Sequence, residues 1–352
     1  MNRRSGSFES DNRPERVNAP AGADEELQAE VSRFNDLQDK LALASLQGDL
    51  AELDATVANL PAAIQTLRDR GYVFKSYLAK KSETLAGQWR DLRPRVEAAL
   101  LAQQPTLQRQ AASVQAILQR GSKAGPALST LESQVDAAVR SLEAMYKPLQ
   151  ENVNQTKRQV DDVTWTLQQA EQASFGFLAT EAPVEAVPAN WKKPNDKDGV
   201  DGVLYLTDQR VIFEQKEEVA TKKVLFVATQ KQKLQALQWA VPVAEIEKAE
   251  GSKRGLLGKD DFLTLAITTG RPFSSTDLHL KGETGETWKG YIGRVKSGDI
   301  AKERTVPVDQ KAVETVANAP TKCTVCGATL TQTVMRGQTE ITCEYCGSKI
   351  RL

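Results

Sequence analysis

The clearest chemistry in this sequence is carried by its four cysteines, all within the last thirty residues. They form two pairs, Cys323-Thr-Val-Cys326-Gly327 and Cys343-Glu-Tyr-Cys346-Gly347, with sixteen residues between them. A Cys-x-x-Cys turn can aim both thiolates at one ion, and the glycine that follows lets the backbone reverse sharply. Four thiolates fill a tetrahedral shell and leave no position for water. A zinc ion held by Cys323, Cys326, Cys343 and Cys346 is therefore expected to be structural. Redox use of either pair would need a surrounding βαβ unit, which the sequence lacks. Clustered cysteines also suit a reducing compartment, so a cytoplasmic protein is expected, with peripheral residence at the inner face of the membrane as a further expectation.

Little else has catalytic spacing. There is one histidine, His279, set in the alternating run Asp-Leu-His-Leu. The acidic pairs Asp161-Asp162 and Asp260-Asp261 have no neighbour that marks them as acid–base machinery. No glycine-rich phosphate loop, nucleophile elbow or Glu-flanked histidine pair occurs. The expectation is a non-enzymatic protein with no catalytic residues.

Charge narrows the partners. The chain has 46 basic and 46 acidic side chains, and neither half is polarised: residues 1–174 hold 21 against 23, residues 175–352 hold 25 against 23. A nucleic-acid binder working by bulk electrostatics would be basic. Over 321–352, Lys322, Arg336, Lys349 and Arg351 face Glu340 and Glu344, an excess of two that a four-thiolate zinc centre cancels. Contact with DNA or RNA through Arg336 and Lys349 is kept as the alternative reading; nucleic acid is the less expected partner.

The elements that would position these groups fall into blocks. In 321–352, Ala328–Val334 and Gln338–Thr342 read as strands joined near Met335-Arg-Gly337, and the segment resembles a zinc ribbon. So short a segment has no core without its metal. Residues 1–23 carry Arg3, Arg4, Arg13 and Arg16 among Ser, Asn, Pro and Gly, and read as a disordered tail. Residues 24–174 are heptad-patterned: Leu46, Leu50, Leu53, Val57, Leu60, Ile64 and Leu67 step by 4-3, as do Leu128, Leu131, Val135, Ala138, Leu142, Met145 and Leu149. The run Thr156, Val160, Val163, Leu167, Ala170 continues the second series. Two glycines and a proline within 121–126 predict a turn between antiparallel helical arms. The long first arm is expected to bend at Pro61, Pro94 or Pro105, or to pair with another chain, and the second to kink at Pro148. A coiled-coil scaffold that self-associates into a homo-oligomer is the expected use. A membrane-remodelling hairpin is disfavoured, because Asp24, Glu25, Glu26, Glu30, Asp36 and Asp39 repel anionic lipid.

Beyond a Pro-punctuated linker at 175–186, short apolar runs alternate with turns. Val203–Glu214 reads as a hairpin, followed by strands at Lys223–Ala228, Ala240–Lys248, Phe262–Thr268 and Thr276–Leu280. An amphipathic helix carrying Trp288, Tyr291, Ile292 and Val295 comes last. Gly202-Val-Leu-Tyr-Leu-Thr-Asp-Gln-Arg-Val-Ile-Phe-Glu and Val241-Pro-Val-Ala-Glu-Ile-Glu-Lys-Ala resemble GRAM and bacterial pleckstrin-homology-like (PH-like) domains over 187–300. The resemblance implies a small antiparallel barrel capped by one helix, used for lipid headgroups or protein partners. The overall expectation is multidomain α + β: helical coiled-coil region, PH-like β domain, linker at 301–320, zinc ribbon. Within 187–300 the best membrane or partner loop is Ser252-Lys253-Arg254-Gly-Leu256-Leu257-Gly-Lys259, an apolar tip with a cationic collar. The bland reading folds those leucines under the barrel end. Lys216, Lys222, Lys223, Lys231 and Lys233 read as a solvated strand edge that discourages pairing.

Overall fold

The computed structural model describes residues 16–41, 43–192, 199–224 and 227–352, with the side chains of 39 and 218–232 left aside. The Lys222, Lys223 and Lys231 side chains and most of the predicted tail thus lie outside the described residues. The chain divides into two units, Met1–Ala62 with Ala79–Lys157, and Ala63–Leu78 with Arg158–Leu352.

The first unit is helical. Its helices are α1 (Glu25–Leu41), most of α2 (Ala44–Asp69), most of α3 (Tyr77–Gln119) and the larger part of α4 (Gly125–Glu171). Asp24 starts α1 by accepting the Leu27 N–H at 2.9 Å, with Glu25 and Glu26 complementing the helix dipole. The turn foreseen at 121–126 is present, with Gly121 at φ 74°. Pro61, Pro94, Pro105 and Pro148 all lie inside continuous helices, so none of them ends a helix. A proline removes one backbone hydrogen bond, and a long buried apolar face holds the helix through it. The chain breaks instead at Leu43 (φ 51°) and at Gly71 (φ 85°).

One core of this unit joins three helices: Leu27, Val31, Phe34, Leu37 and Leu41 of α1, Leu107, Val114 and Leu118 of α3, and Leu128, Leu131 and Val135 of α4. Val17 belongs to it as well, with its N–H on Asn35 Oδ1 and its carbonyl receiving Asn35 Nδ2, both at 2.9 Å. The tail therefore packs from Val17 onward. The seam residues Leu46, Leu50, Leu53, Val57 and Leu60 are all buried within the single chain. The heptads record helices of one chain packing together, so this seam offers no apolar stripe to a second copy. After Leu142 the buried face takes Tyr146 rather than Met145, and its hydroxyl donates to Asp49 Oδ2 at 3.0 Å. Asp54 likewise holds the Trp89 indole N–H at 2.5 Å and Arg93 at 2.9 Å.

The second unit is built on seven antiparallel strands: β1 (Pro183–Trp191), β2 (Val200–Thr207), β3 (Arg210–Val224), β4 (Val227–Pro242), β5 (Ile246–Arg254), β6 (Asp260–Ile267) and β7 (Ser275–Leu280). Their order is β4-β3-β2-β1-β7-β6-β5, so β4 and β5 are edges and the hydrogen-bonded ladder does not close. The expected barrel is an open sheet. β1 begins at Pro183, inside the predicted linker, because the prolines that read as punctuation are accommodated in its ladder, Pro188 opposite Val203. The run Lys223–Ala228 spans the end of β3 and the start of β4 rather than forming a strand of its own. The predicted 301–320 linker contains a short helix, α6 (Gln310–Ala317).

The foreseen hairpin is β2 and β3, with Leu206 opposite Val211. Thr207 Oγ1 closes its turn by accepting the N–H groups of Gln209 (3.1 Å) and Arg210 (2.7 Å). Helix α5 (Gly285–Lys296) is capped by Thr284, which accepts the Thr287 N–H, and buries Trp288, Ile292 and Val295. It meets β5 and β6 backbone to backbone: a Cβ on Gly285 would stand 2.0 Å from the Phe262 carbonyl oxygen, and one on Gly251 2.2 Å from the Glu286 nitrogen. Only glycine permits that approach.

The end of α4 lies on the same sheet, with Trp165 packed against Val203, Tyr205 and Ile212. There Glu214 is fully buried and accepts the Ser174 N–H (2.5 Å), the Tyr205 hydroxyl (2.8 Å) and Gln235 Nε2 (2.9 Å), with Lys216 Nζ at 3.2 Å. Burial pushes its carboxyl up, but these donors prevail and hold it below the ordinary glutamate value. A depressed carboxyl stabilises the fold above its unfolded pKa, and that contribution is lost as pH falls through the folded one. Glu214→Gln is therefore expected to cost about 2 kcal/mol at pH 7, and much less near pH 3, in urea unfolding.

Candidate functional site

The cysteine segment folds as two matching knuckles. In each, the N–H of the trailing glycine closes on the carbonyl of the first cysteine: Gly327 to Cys323 at 2.9 Å, Gly347 to Cys343 at 2.8 Å. The first cysteine's own N–H then returns to the residue after that glycine, Cys323 to Ala328 (2.8 Å) and Cys343 to Ser348 (2.9 Å). Gly327 and Gly347 sit at φ 75° and 72°, which explains why glycine follows each pair.

The four sulfurs lie within 4.8 Å of one another, with Cys323–Cys346 and Cys326–Cys343 each at 3.7 Å. A tetrahedron with metal–sulfur bonds of about 2.3 Å has sulfur–sulfur edges of about 3.8 Å, so the spacing fits a single tetrahedral ion. Cys323 and Cys343 are buried, while Cys326 and Cys346 are exposed to solvent. Backbone N–H groups of Cys326 and Val325 pull the Cys323 thiol down and Ser348 brings Cys346 to about 6, while the neighbouring sulfurs push Cys326 up to about 12, so protons are shared unevenly within the cluster. Among the described residues, Ile350, Ala328 and Leu330 pack around them, a core too small to stand alone.

The strands here are β8 (Glu340–Thr342) and β9 (Lys349–Arg351), paired antiparallel. Ala328–Val334 is not a strand; its end bonds elsewhere. Leu178 and Met335 form an antiparallel bridge, Ala179 donates to the Val334 carbonyl at 3.1 Å, and Arg336 N–H reaches the Phe177 carbonyl at 2.8 Å. The Arg336 guanidinium lies 5.4 Å over the Phe177 ring and donates to the Glu181 carbonyl. Glu181, buried, holds Arg210 through two bonds of 2.9 and 2.6 Å. The cysteine segment is thus laced to 177–179, in what the sequence reads as a linker. Short-range sequence signals carry no trace of that pairing. Of the two residues weighed for nucleic acid, Arg336 is engaged on Phe177 and Glu181, and Lys349 pairs with Glu340.

The other predicted site lies at the β5–β6 turn. Leu256 and Leu257 are 87% and 85% exposed, so the leucines do not fold under the sheet. Leu257 sits in the left-handed region at φ 64°. Lys253 and Lys259 are exposed beside them. Arg254 differs: it grips Asp277 at 2.7 and 3.2 Å and lies 4.6 Å over Phe262, which stacks in turn on His279. The cationic collar is therefore two lysines. His279 belongs to this stack, with its Nε2 3.8 Å from Asp260 Oδ1.

No family model and no curated protein matches this chain. Among solved structures it is similar to the N-terminal PH domain of Vps36, at 12% identity, covering 36% of this chain and 94% of that one, with a TM-score of 0.23. It is also similar to human RhoA in complex with the DH/PH fragment of PDZRhoGEF, at 12% identity, 79% and 96% coverage and a TM-score of 0.25. The linker–DH/PH domains of p115-RhoGEF match at 12% identity, 77% and 95% coverage and 0.22. These neighbours contain PH domains. At such scores the likeness carries no argument, and the reading of this chain rests on its own strand order and sites.

Proposed function

We propose that this chain is a non-enzymatic adaptor. Its PH-like sheet, capped by α5, docks reversibly on a lipid surface through Leu256 and Leu257, and a zinc ion in the four-cysteine ribbon is a structural fastener. The observation that carries this reading is the pair of adjacent, almost fully exposed leucines on a left-handed turn between Lys253 and Lys259. Such a tip enters the headgroup boundary while lysine ammonium groups meet phosphate.

Magnitude decides how the tip works. Burying two leucines is worth about 3–6 kcal/mol, short of the ~8 kcal/mol of a micromolar complex. Asp260 and Asp261 stand at the base of the turn, so charge adds little. Contact is therefore weak and governed by apolar insertion, and it suits a protein with a second anchor point. No helix among the described residues is long and apolar enough to cross the bilayer.

Flotation with excess vesicles of phosphatidylcholine and phosphatidylserine tests the reading. The native chain is expected to float, and Leu256→Asp/Leu257→Asp to remain with the soluble fraction while unfolding at the same temperature. A native chain that stays at the bottom of the gradient contradicts the lipid assignment.

A further inference from the structure

Two sulfur–sulfur approaches run across the ribbon, from one knuckle to the other: Cys323 to Cys346 and Cys326 to Cys343, each at 3.7 Å. Each joins an exposed cysteine to a buried one. A disulfide has its sulfurs about 2.05 Å apart, so either crosswise pair closes by a movement of about 1.7 Å. Val325 and Tyr345, the residues before Cys326 and Cys346, are themselves 70% and 76% exposed, so solvent reaches this side of both turns. The inner cysteines have other surroundings. Cys323 Sγ accepts the N–H groups of Val325 and Cys326 at 3.4 and 3.5 Å, and Cys323 and Cys343 belong to the small core with Ile350.

An exposed sulfur beside a buried one is the arrangement in which the first is oxidised and the second resolves it. A metal-bound cysteine is already deprotonated, and the thiolate is the form that attacks peroxide.

We infer that the four-cysteine ribbon is a hydroperoxide-reactive site that exchanges its zinc for two crosswise disulfides, Cys323–Cys346 and Cys326–Cys343. The inference rests on the zinc reading above. The Cys346 thiolate attacks one oxygen of hydrogen peroxide; the O–O bond breaks, a sulfenic acid forms and hydroxide leaves. The Cys323 thiolate then attacks the Cys346 sulfur, the S–O bond breaks and a second hydroxide leaves. Cys326 and Cys343 repeat the sequence. Each pair of thiolates gives up two electrons, two peroxides are reduced to four hydroxides, and the zinc ion, left without ligands, departs. Neither Cys-x-x-Cys pair closes on itself, so no thioredoxin-like unit is required. Bonds within a pair would tie each knuckle only to itself. Bonds across the pairs tie the knuckles to each other, over 23 and 17 positions, and replace the metal as the fastener.

The test uses the full chain, zinc-loaded and freed of reductant, with hydrogen peroxide as probe. Released zinc is followed with a chromogenic chelator. Disulfide partners are read by non-reducing peptide mapping, with cleavage after Tyr345 and fragmentation between Cys323 and Cys326. About one zinc released per two peroxides consumed is expected, with Cys323–Cys346 and Cys326–Cys343 as the cross-links. Amide exchange in the ribbon and at Ala179 should be about tenfold or more slower in the oxidised chain than in a reduced chain stripped by chelator. Dithiothreitol with added zinc should restore the starting metal content. A chain that carries no zinc before peroxide contradicts the zinc reading and the inference together. A zinc-loaded chain overturns the inference alone if it keeps its metal, if its sulfurs pair in any other way or end as sulfonic acids, or if the oxidised ribbon exchanges as fast as the stripped one.

Discussion

Replacing Lys75 with methionine is expected to destabilise the second unit by about 3–5 kcal/mol. The Lys75 ammonium and the Glu185 carboxylate form a hydrogen-bonded pair with only 6% of either side chain exposed. Burial pushes Lys75 toward its neutral form, but the Glu185 carboxylate bonded to it keeps the ammonium protonated. Arg68 organises the loop that delivers the lysine by donating to the carbonyls of Tyr72 (2.9 Å), Phe74 (2.6 Å) and Lys75 (2.8 Å). The Tyr72 hydroxyl then reaches the Val184 carbonyl at 3.1 Å, next to Glu185 in β1. Removing the lysine strands a carboxylate in a low-dielectric site. Removing both charges strands nothing, so Lys75→Met/Glu185→Leu should recover most of the loss. Urea unfolding of the single and double variants reads this directly. A single variant within 1 kcal/mol of the native chain would show that the pair is not needed.

The second large effect concerns the ribbon. Cys343→Ser takes a buried sulfur from the four-cysteine cluster, and the surrounding core of Ile350, Ala328 and Leu330 cannot hold the segment by itself. A structural zinc site supplies roughly 10–16 kcal/mol of apparent binding free energy, all of it folding energy for a segment this small. Loss of order over 321–352 is expected, and with it loss of the Val334–Arg336 ladder to Phe177–Ala179. The seven-stranded sheet should persist, since its own hydrogen bonds do not pass through the cysteines. Amide exchange would therefore show fast exchange in the ribbon and at Ala179, with protection retained in β1 and β2. Retained protection throughout the ribbon of the serine variant would contradict a metal-dependent fold.

Much of this was legible in the sequence where local chemistry decides structure. The two Cys-x-x-Cys-Gly knuckles, the Thr207 turn of the β2–β3 hairpin and the buried face of α5 each depend on residues within a few positions of one another. The heptads were legible as helix packing but not as to partner, because 4-3 spacing is the same whether the facing helix belongs to this chain or another. β1 was hidden by Pro183 and Pro188, which signal breaks more often than strands. Lys75 and Glu185 stand 110 positions apart, and neither residue type signals burial. The bond between Ala179 and Val334 is likewise a product of tertiary assembly. The exposure of Leu256 and Leu257 could be posed as a question from sequence, since a leucine pair in a glycine-flanked turn can go either way, and only the packing around it answers.

The most direct measurement is the metal content of the full chain purified under reducing conditions, by inductively coupled plasma mass spectrometry, alongside Cys343→Ser. One zinc per native chain, absent from the variant, is the predicted result. A native chain without stoichiometric metal, or a serine variant that retains it, would contradict a four-thiolate centre.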